Sequence, residues 1–467
     1  MAKLLVVISS DLYVRNYLRT NALRELEESF ECHFAGTLEL SLREEIEKKA
    51  GFQGLFGMSK RLKRLHQLHF NLMMWRHRKK SKTFLYRWMR NSNWHKIDSL
   101  HGPLRLVTSA VRWLLSAALN PQGLIVPLLG NRILFPISTA LIRLLLPVDD
   151  DLSRLVQTEK YDAIVFPSAA FEPVSVDLIR IGKRLNVTTL CLIDNWDNLT
   201  SKTVFWTKPN HLGVWGEQAK GQAIDIHDFP PHHVHTIGTP RFDQYLSRRG
   251  RKPEEEIYAF PYILFVGSAM PFDEIRMLHN LEESLSLNQD APKDLRIVYR
   301  PHPWQQKRLV SSTFEDRDFT QVILDKQISE SRGNQKLGNV SFQPDLTYYP
   351  KLLVGARCVV GPLTTMLLEA SICLKPVIAL NFSDGVHGTT TKTYFSHFEG
   401  AERIPGFNFC NSQDELPNLL SAALSFGESN EVESDEAIST YVNLAEPPYP
   451  SRLGNLVGTI LAKTSEA

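Results

Sequence analysis

Cysteine is scarce in this chain of 467 residues, which has only five. The five form no Cys-x-x-Cys pair and no other spacing typical of metal ligands, and most lie in apolar stretches. Disulfide scaffolds and zinc modules depend on dense, regularly spaced cysteines, so the sequence favours neither class. We expect buried thiols in a reducing compartment at Cys32, Cys191, Cys358, Cys373 and Cys410.

The chain also lacks the long apolar run of a membrane-spanning helix. A span needs about 20 consecutive apolar residues, and no charge-free apolar run here reaches that length. The N-terminal stretch MAKLLVVISSDLYVR has a short apolar run and no small-residue cleavage site, so it favours a first β-strand over a signal peptide. We therefore expect a cytoplasmic protein that is peripheral at the inner face of the cell membrane.

Acidic residues are nearly absent from residues 60–112. This region carries 14 lysine and arginine residues against one acid, Asp98, so its net charge is +13, whereas the whole chain has a formal charge of +2. Arginine combined with tryptophan is typical of segments that bind an anionic bilayer surface. The tryptophans expected at the headgroup level are Trp75, Trp88, Trp94 and Trp113.

Two alternatives to a membrane surface exist for this basic segment. Nucleic acid is one, because basic and aromatic residues also bind single strands, but the sequence has no recognised nucleic-acid motif. A helical insert whose basic face is simply solvated is the other. We expect reversible binding to anionic lipid and no nucleic-acid partner.

Short apolar runs alternate with helical patterns along most of the chain. Runs such as 161–168 and 187–194 are typical of parallel strands that are buried on both faces. The alternation starts afresh near residue 260, and the chain is too long for one ordinary core. The sequence therefore predicts an α/β, GT-B-like fold in which two Rossmann-like domains with parallel sheets face a cleft.

The predicted domains have unequal roles. Residues 1–246 are expected to form an N-terminal acceptor domain with a basic helical insert at about 45–150. Residues 257–445 are expected to form a C-terminal nucleotide-donor domain, and 446–467 a closing helix. Ligands of such folds bind at the carboxyl ends of the strands. That rule selects the loops that contain Asp11, Ser168, Asp194, Ser268, His302 and Thr364-Thr365.

One donor-side candidate is the stretch Arg300-Pro301-His302-Pro303, which follows a predicted strand. The two prolines stiffen the loop on both sides of the histidine. Arg300 and His302 are suited to contact the phosphate of a leaving nucleotide. A purely structural loop histidine is the alternative.

A pair of hydroxyls, Thr364-Thr365, stands between a predicted strand and a predicted helix. It suits either an N-cap or a phosphate site, and the two are compatible because both use the first amides of the helix. Glu369, one turn further on, is expected either to accept from ribose hydroxyls or to be a solvated helix residue. Gly267-Ser268 ends the first strand of this half, where a glycine permits close backbone approach to the donor.

The acceptor-side candidates centre on Asp194-Asn195-Trp196-Asp197-Asn198. Asp197 and Asp194 are the first choices for a base that takes the proton of an acceptor hydroxyl, and Trp196 is expected to contact the acceptor. An Asx-rich turn with a packed tryptophan is the alternative. Asp11 is a further acceptor contact, and Asp11 and Glu172 are rival bases.

Three clusters have the residue types of a metal site but not its pattern. Residues 149–151 suit a linker and 316–318 a solvated loop, because neither follows a clear strand end. His232, His233 and His235 lack the further ligands that zinc requires. We expect no metal and no other cofactor.

The motifs above resemble those of the GT-B glycosyltransferases. Residues 215–245 are similar to the domain crossover of bacterial surface-polysaccharide transferases, and RPHP with 361–380 resembles their donor half. The His-Pro dipeptide with a hydroxyl pair is similar to sialyltransferases and Kdo transferases, which use CMP-sugars, and to CDP-glycerol glycerophosphotransferases. The resemblance implies that His302 and Thr364-Thr365 contact the donor phosphate.

The expected function is that of a metal-independent glycosyltransferase. It would move a sugar from a CMP-, UDP- or CDP-linked donor to a surface-glycan or lipid-linked acceptor. The alternatives are a CDP-glycerol-type glycerophosphotransferase and a non-catalytic nucleotide-sugar-binding protein.

Overall fold

The computed structural model describes residues 1–81, 83–84, 122–250, 257–269, 272–302, 318–332, 347–385, 395–427 and 430–466. The chain separates into two compact units. The first unit comprises 1–241 and 439–467, and the second comprises 242–438. The C-terminal helix is thus part of the first unit.

The first unit is built on a seven-stranded sheet in the order β3-β2-β1-β4-β5-β6-β7, with every pair parallel. Its strands are β1 Lys3–Ile8, β2 Glu31–Thr37, β3 Phe52–Phe56, β4 Ala163–Ser168, β5 Thr188–Ile193, β6 His211–Val214 and β7 Val234–Thr236. All residues of β4 and β5 are buried, as parallel strands covered on both faces require.

Helices pack on both faces of this sheet, and three of those that follow, between Lys60 and Leu145, form an apolar core of their own. The helices are α1 Asp11–Tyr13, continued as a π-helical turn to Leu18, α2 Arg24–Ser29, α3 Arg43–Glu47, α4 Lys60–His77, α5 Gln122–Leu129, α6 Leu134–Leu145, α7 Asp150–Glu159, α8 Pro173–Leu185, α9 Asn198–Ser201 and α10 Glu217–His227. The last helix of the chain, Tyr449–Glu466, packs Leu453 and Val457 into the same apolar cluster as Leu4 and Val6 of β1.

The second unit has a six-stranded parallel sheet in the order β10-β9-β8-β11-β12-β13. Its strands are β8 Tyr262–Val266, β9 Arg296–Arg300, β10 Val322–Leu324, β11 Cys358–Pro362, β12 Val377–Leu380 and β13 Phe407–Cys410. Its helices are α11 Asp243–Leu246, α12 Glu274–Leu287, α13 Lys326–Arg332, α14 Tyr348–Gly355, α15 Thr365–Ile372, α16 Leu416–Leu424 and α17 Glu431–Ile438, and the C-terminal helix of the first unit is α18.

Both sheets have the strand order of a doubly wound fold, so the predicted pair of Rossmann-like domains is confirmed. The first strand of each sheet lies inside it, and the order in which successive strands are added reverses between β1 and β4 and between β8 and β11, although all strands stay parallel. Ligands of such sheets bind outside the carboxyl ends of the strands at this reversal. The segments that follow β1, β4, β8 and β11 are therefore the places to search for a site.

The helical insert predicted at about 45–150 is only partly found, because Phe52–Phe56 within that range forms β3 of the sheet and the described helices of the insert begin at Lys60. Helices α4, α5 and α6 share an apolar core that includes Leu72, Met74, Val126 and Ile142. Trp75 is half-buried in it, and the Arg78 guanidinium lies 3.9 Å from the centre of its ring. The other three tryptophans of the membrane prediction lie outside the described residues.

Candidate functional site

Three donor-side segments of the second unit meet at one edge of its sheet. The amide of Gly267, just beyond β8, donates to the carbonyl of Arg300 at the end of β9 at 2.8 Å. On the other side of β8, a Cβ on Gly361 of β11 would lie 2.4 Å from the carbonyl oxygen of Val266, so only glycine allows this close packing. The ends of β9, β8 and β11 are therefore neighbours in that order.

The space beside Gly267 is occupied by protein. A Cβ there would lie 2.6 Å from Oε2 of Glu274 and 2.7 Å from the amide nitrogen of His302. The glycine thus makes room for a buried carboxylate. Oε1 of Glu274 accepts from the amide of Ser268 at 2.9 Å, and its Oε2 accepts from the Tyr299 hydroxyl at 2.5 Å.

Glu274 was missed by the sequence analysis. Burial raises the pKa of its carboxyl to about 7, although the hydrogen bonds from Tyr299 and Ser268 act in the opposite direction. A signal was available, because Glu274 lies on the same face of α12 as the buried Met277, Leu278 and Leu281. A carboxylate in an apolar helical stripe indicates a buried, partnered group.

Arg300 turns into the protein from the end of β9. Its Nη1 lies 2.9 Å from Oδ2 of Asp325, and its Nη2 donates to Oε1 of Gln327 at 2.7 Å. Its guanidinium also lies 4.2 Å from the centre of the Tyr349 ring. A donor contact by Arg300 stays a prediction, but its charge already has a buried partner.

Thr364 is the N-cap residue of α15, and its backbone is extended, as an N-cap requires. Its side chain makes no capping hydrogen bond. The amide of Leu367 instead donates to the Thr364 carbonyl at 3.0 Å. Thr364 and Thr365 are both partly exposed. The capping role predicted for Thr364 is therefore absent at its hydroxyl.

Glu369 is fully buried, whereas the sequence predicted either a contact with ribose hydroxyls or a solvated position. The Tyr245 hydroxyl donates to its Oε2 at 2.7 Å. The glutamate is not a solvated helix residue, and its carboxylate faces the protein. His302 is partly exposed at the end of the β9 loop, and the residues that follow it, 303–317, lie outside the described part of the chain.

Asp194 follows β5 in the first unit and is the most unusual acidic residue there. Its Oδ1 is buried and accepts no hydrogen bond from any residue that the structure describes. Burial raises the pKa of its carboxyl to about 6, while the neighbouring Lys202, Arg241 and Arg15 act to lower it. A buried carboxylate oxygen without a donor is costly unless something else uses it.

Asp197 and Trp196 occupy a turn beside it. Asp197 precedes the short helix α9, and its Oδ2 accepts from the Ser201 hydroxyl at 3.3 Å. Trp196 is buried, and its ring packs edge-to-face on Tyr441 at 5.6 Å between centroids. The predicted acceptor contact through the Trp196 ring therefore has no exposed surface, which matches the packed-tryptophan alternative.

Glu172, a rival base, is held by several donors at the end of β4. The Tyr13 hydroxyl donates to its Oε1 at 2.7 Å and the Ser168 hydroxyl to its Oε2 at 2.5 Å. Burial raises the pKa of the Tyr13 phenol well above its ordinary value, and the charge of Glu172 adds to this effect. Asp11, the other rival, accepts from the amides of Ser41 and Leu42 through its Oδ1 at 2.9 and 3.0 Å.

The clusters considered as metal motifs have other surroundings. Asp149 caps α7, accepting from the amides of Asp151 and Leu152. His211, which the sequence analysis did not include, lies 3.2 Å from His235 between ring nitrogens. Within the described ranges, no group of three or more histidine, cysteine, aspartate or glutamate residues is arranged to hold a metal ion. In the same part of the chain, no helix is long and apolar enough to cross a bilayer.

Comparisons with known proteins give a fold and no family. No family model matches the chain, and no curated protein matches it in sequence. Among solved structures, a putative UDP-N-acetylglucosamine 2-epimerase from Listeria monocytogenes aligns with a TM-score of 0.52 and 10% identity, over 100% of this chain and 97% of that one. The match has GT-B architecture. This chain has the GT-B fold.

Two further structures give the same result. The S. aureus MnaA–UDP complex aligns with a TM-score of 0.51 and 10% identity, over 99% of this chain and 97% of that one. The UDP-GlcNAc 2-epimerase from Methanocaldococcus jannaschii has the same score and identity, over 99% of both chains. At this identity the likeness establishes architecture, and chemistry has to be argued from the side chains.

The carboxyl ends of the strands carry different functional groups in the two units. In the second unit, the partly exposed Thr364 and Thr365 stand at a helix N-terminus, whose first amides and dipole favour an anion. In the first unit, Asp194 offers a carboxylate with a pKa of about 6 and an oxygen free to accept a proton. A carboxylate with a pKa close to neutral is suited to proton abstraction.

Proposed function

We propose that this protein is a glycosyltransferase that uses a nucleotide-activated sugar. The observation that carries the proposal is the half-buried Asp194 carboxylate, whose buried Oδ1 has no donor among the described residues. Asp194 takes the proton of an acceptor hydroxyl, and the resulting oxygen attacks the anomeric carbon of the donor. The bond between that carbon and the phosphate oxygen breaks, and the nucleotide leaves with the electron pair.

The departing phosphate is proposed to bind at the N-terminus of α15. Support comes from the Thr364 hydroxyl, which is not used for capping, and from the position of the pair at a helix N-terminus, where the dipole favours an anion. His302 reaches the same edge from β9 and is proposed to contact the phosphate. Gly267 and Ser268 follow β8, which lies between β9 and β11, and the Ser268 amide donates to Glu274.

A nucleotide screen tests the donor half. CMP, UDP and CDP are added to the purified protein, and its melting temperature is followed. A nucleotide present at 100 times its Kd stabilises the fold by about 2.7 kcal/mol. His302→Ala should abolish the shift without lowering the melting temperature of the free protein. If no nucleotide stabilises the wild type, the proposal fails.

A nucleotide-sugar 2-epimerase is the second candidate, because two of the three structures described above are named as such enzymes. Epimerisation needs no acceptor, whereas glycosyl transfer does. Incubating the protein with the sugar form of whichever nucleotide binds, and following the sugar by NMR, separates them. A changed sugar still attached to its nucleotide supports the epimerase. CDP-glycerol belongs in the same panel, since it tests the glycerophosphotransferase alternative.

An anionic membrane surface is the proposed partner of the insert. Helix α6 carries a row of exposed apolar side chains on one face: Ile133, Ile137, Leu141, Leu144 and Leu145. No acid occurs between Asp98 and Asp149, and the exposed Arg132 and Arg143 flank the row. An apolar helical face with cations and no anions suits an interfacial helix on anionic lipid.

Vesicle co-sedimentation tests this partner. The protein is mixed with neutral phosphatidylcholine or anionic phosphatidylglycerol vesicles at rising salt, with single-stranded DNA as competitor. Binding should require anionic lipid and weaken with salt. Ile137→Asp with Leu141→Asp should release the protein, while the control Val432→Asp, at an exposed apolar position of the second unit, should not. A preference for DNA would defeat the membrane assignment.

A further inference from the structure

A cavity of about 420 Å³ lies in the first unit, beside the ends of β1, β2 and β3. Helix α4 of the insert forms one wall of it, and the ends of β1, β2 and β3 with the start of α8 form the others. Binding pockets for small molecules occupy about 300–1,000 Å³. The proposed function assigns no ligand to this cavity.

Most of the surface that faces this cavity is apolar. Phe56 and Met58 contribute from the β3 side, Leu62 from α4, and Phe171 and Val174 from the start of α8. At about 30 Å³ for a water-sized group, the space accepts roughly a dozen methylene groups in a folded chain. Polar side chains also line the cavity, among them Ser9, Lys63 and Gln67, but they contribute less of its surface than the apolar groups do.

The charged residues of the cavity already have partners in the protein. Glu172 accepts from Tyr13 and Ser168, as described above. Asp177 is buried, accepts from the amide of Asp149 at 3.2 Å and lies 3.6 Å from Arg180. The cavity therefore has neutralised polar groups at its edge and apolar groups over the rest of its wall.

The cavity borders the exposed apolar face of α6. Pro147 and Val148 line it, and they follow within four residues of Leu144 and Leu145, which are 81% and 61% exposed. The exposed apolar end of α6 is thus joined in sequence to apolar residues that line the cavity. A purely water-soluble ligand would gain nothing from this arrangement.

We propose that this cavity binds a long alkyl or prenyl chain, the lipid part of a lipid-linked acceptor. The acceptor role rests on the proposed function, whereas chain binding does not. Glu172 lines the cavity and follows β4, whose last residue Ser168 pairs with Ile193, the residue just before Asp194. A chain seated in the cavity would therefore hold its polar head group near the carboxylate that takes the proton.

The direct test uses full-length protein and a dodecyl glycoside that carries a diazirine at the end of its chain. After irradiation, digestion and mass spectrometry, the label should map to residues 56–62 and 171–174. Unlabelled dodecyl maltoside should compete, and maltose should not. Label that maps elsewhere, or that maltose displaces, would overturn the proposal.

A homologous series sharpens the test. The affinities of hexyl, octyl and decyl maltosides, kept below their micelle concentrations, should rise roughly fourfold per methylene group while the chain enters apolar space. Val174→Trp and Leu62→Trp fill the cavity from different walls and should each flatten this series. Leu287→Trp, at an exposed apolar position of the second unit, is the matched control and should leave it unchanged. Two folded tryptophan variants with the wild-type series would contradict the proposal.

The outcomes separate this inference from the proposed function. Transfer to soluble glycans, without binding of alkyl glycosides, would refute the cavity assignment and leave the glycosyltransferase intact. Labelling of the cavity in a protein that binds no nucleotide would support chain binding and refute the acceptor role. Nucleotide binding should be unaffected by Val174→Trp, because every residue assigned to the donor lies in the second unit.

Discussion

The polar side chains at the carboxyl edges of the two sheets differ in whether the protein supplies their hydrogen-bond partners. In the second unit, Arg300 and Glu369 stand where a ligand was expected, but each is buried against a partner of its own, Asp325 and Tyr245. In the first unit, Asp194 is half-buried, and its buried Oδ1 has no donor among the described residues. Two edges with the same topology thus differ in which charges remain available.

This difference shows that position at a strand end selects candidates but does not decide among them. A buried polar group is stabilised by a partner and destabilised without one. Where the protein supplies the partner, the group has a structural role. Where it does not, a substrate is the remaining source of a hydrogen bond, and the predictions below test the two cases against each other.

The largest effect is expected at Asp194. Asp194→Asn keeps the shape of the side chain and removes the proton acceptor, so turnover should fall by about 10²–10⁴-fold, the range typical of a general base. Donor affinity should be retained, because the residues proposed to bind the donor lie in the second unit. Initial rates and calorimetric donor binding measure the two quantities.

Asp197→Asn is the matched control for this variant. Asp197 lies in the same turn, but its Oδ2 accepts from Ser201. Its loss should therefore cost much less turnover than the loss of Asp194. Comparable losses in the two variants, or an active Asp194→Asn enzyme, would remove Asp194 as the base and return Asp11 and Glu172 to consideration.

Arg300→Ala should cause the next largest effect, on stability. Removing one partner of a buried ion pair leaves the other charge uncompensated, which costs about 3–5 kcal/mol. Here Asp325, which is fully buried, would be left without the cation. Urea unfolding of the second unit measures the change.

The double variant Arg300→Met with Asp325→Leu separates structure from donor binding. Replacing both charges should recover most of the lost stability, since apolar isosteres of buried pairs are often neutral. Nucleotide affinity measured on this folded variant should equal that of the wild type. A strong loss of affinity with normal stability would instead make Arg300 a donor contact.

The fold could be predicted because apolar runs determine parallel strands. β4, β5 and β8 are continuous apolar segments and were found from the sequence alone. β2 was not predicted, because Glu31-Cys32-His33 at its start does not form an apolar run. β13, FNFC, is only half-buried and was missed as well.

The site was harder to predict, because hydrogen-bond partners are distant in sequence. Glu369 and Tyr245 are 124 positions apart, and Tyr13 and Glu172 are 159 apart. No local pattern reveals such pairs. The burial of Glu274 could have been predicted from its place in an apolar helical stripe, whereas the unpaired oxygen of Asp194 emerges only from the folded surroundings.

Glu274→Gln tests the buried carboxyl that accepts from the Ser268 amide at the end of β8. Its pKa is about 7 in the folded protein, against an ordinary value of 4.5. The folded state therefore holds the proton more tightly than the unfolded state, so this group destabilises the fold progressively as pH rises from about 4.5 to about 7. The total is about 3 kcal/mol, since each pKa unit corresponds to about 1.36 kcal/mol.

The variant has no such titration, so its free energy of unfolding minus that of the wild type should be about 3 kcal/mol larger at pH 8 than at pH 4, which means that the variant gains stability relative to the wild type. Urea unfolding at the two pH values measures this difference. Glu283→Gln, at an exposed position of the same helix, is the control and should show little pH-dependent difference. If the free energies of unfolding of Glu274→Gln and the wild type differ by the same amount at both pH values, the raised pKa of Glu274 is contradicted.

The smallest effect on stability is expected at Thr364, which lies at the carboxyl edge of the second sheet. An N-cap threonine that bonds to its helix contributes about 0.5–2 kcal/mol, but the Thr364 side chain makes no such bond. Thr364→Ala should therefore change the unfolding free energy by less than about 0.5 kcal/mol. If its hydroxyl serves the donor phosphate, nucleotide affinity should fall about tenfold, the low end for a hydrogen bond to a charged group. Thr364→Ser should restore the affinity. A destabilised variant with unchanged affinity would show that Thr364 caps the helix after all, and both edges would then satisfy their polar groups internally except at Asp194.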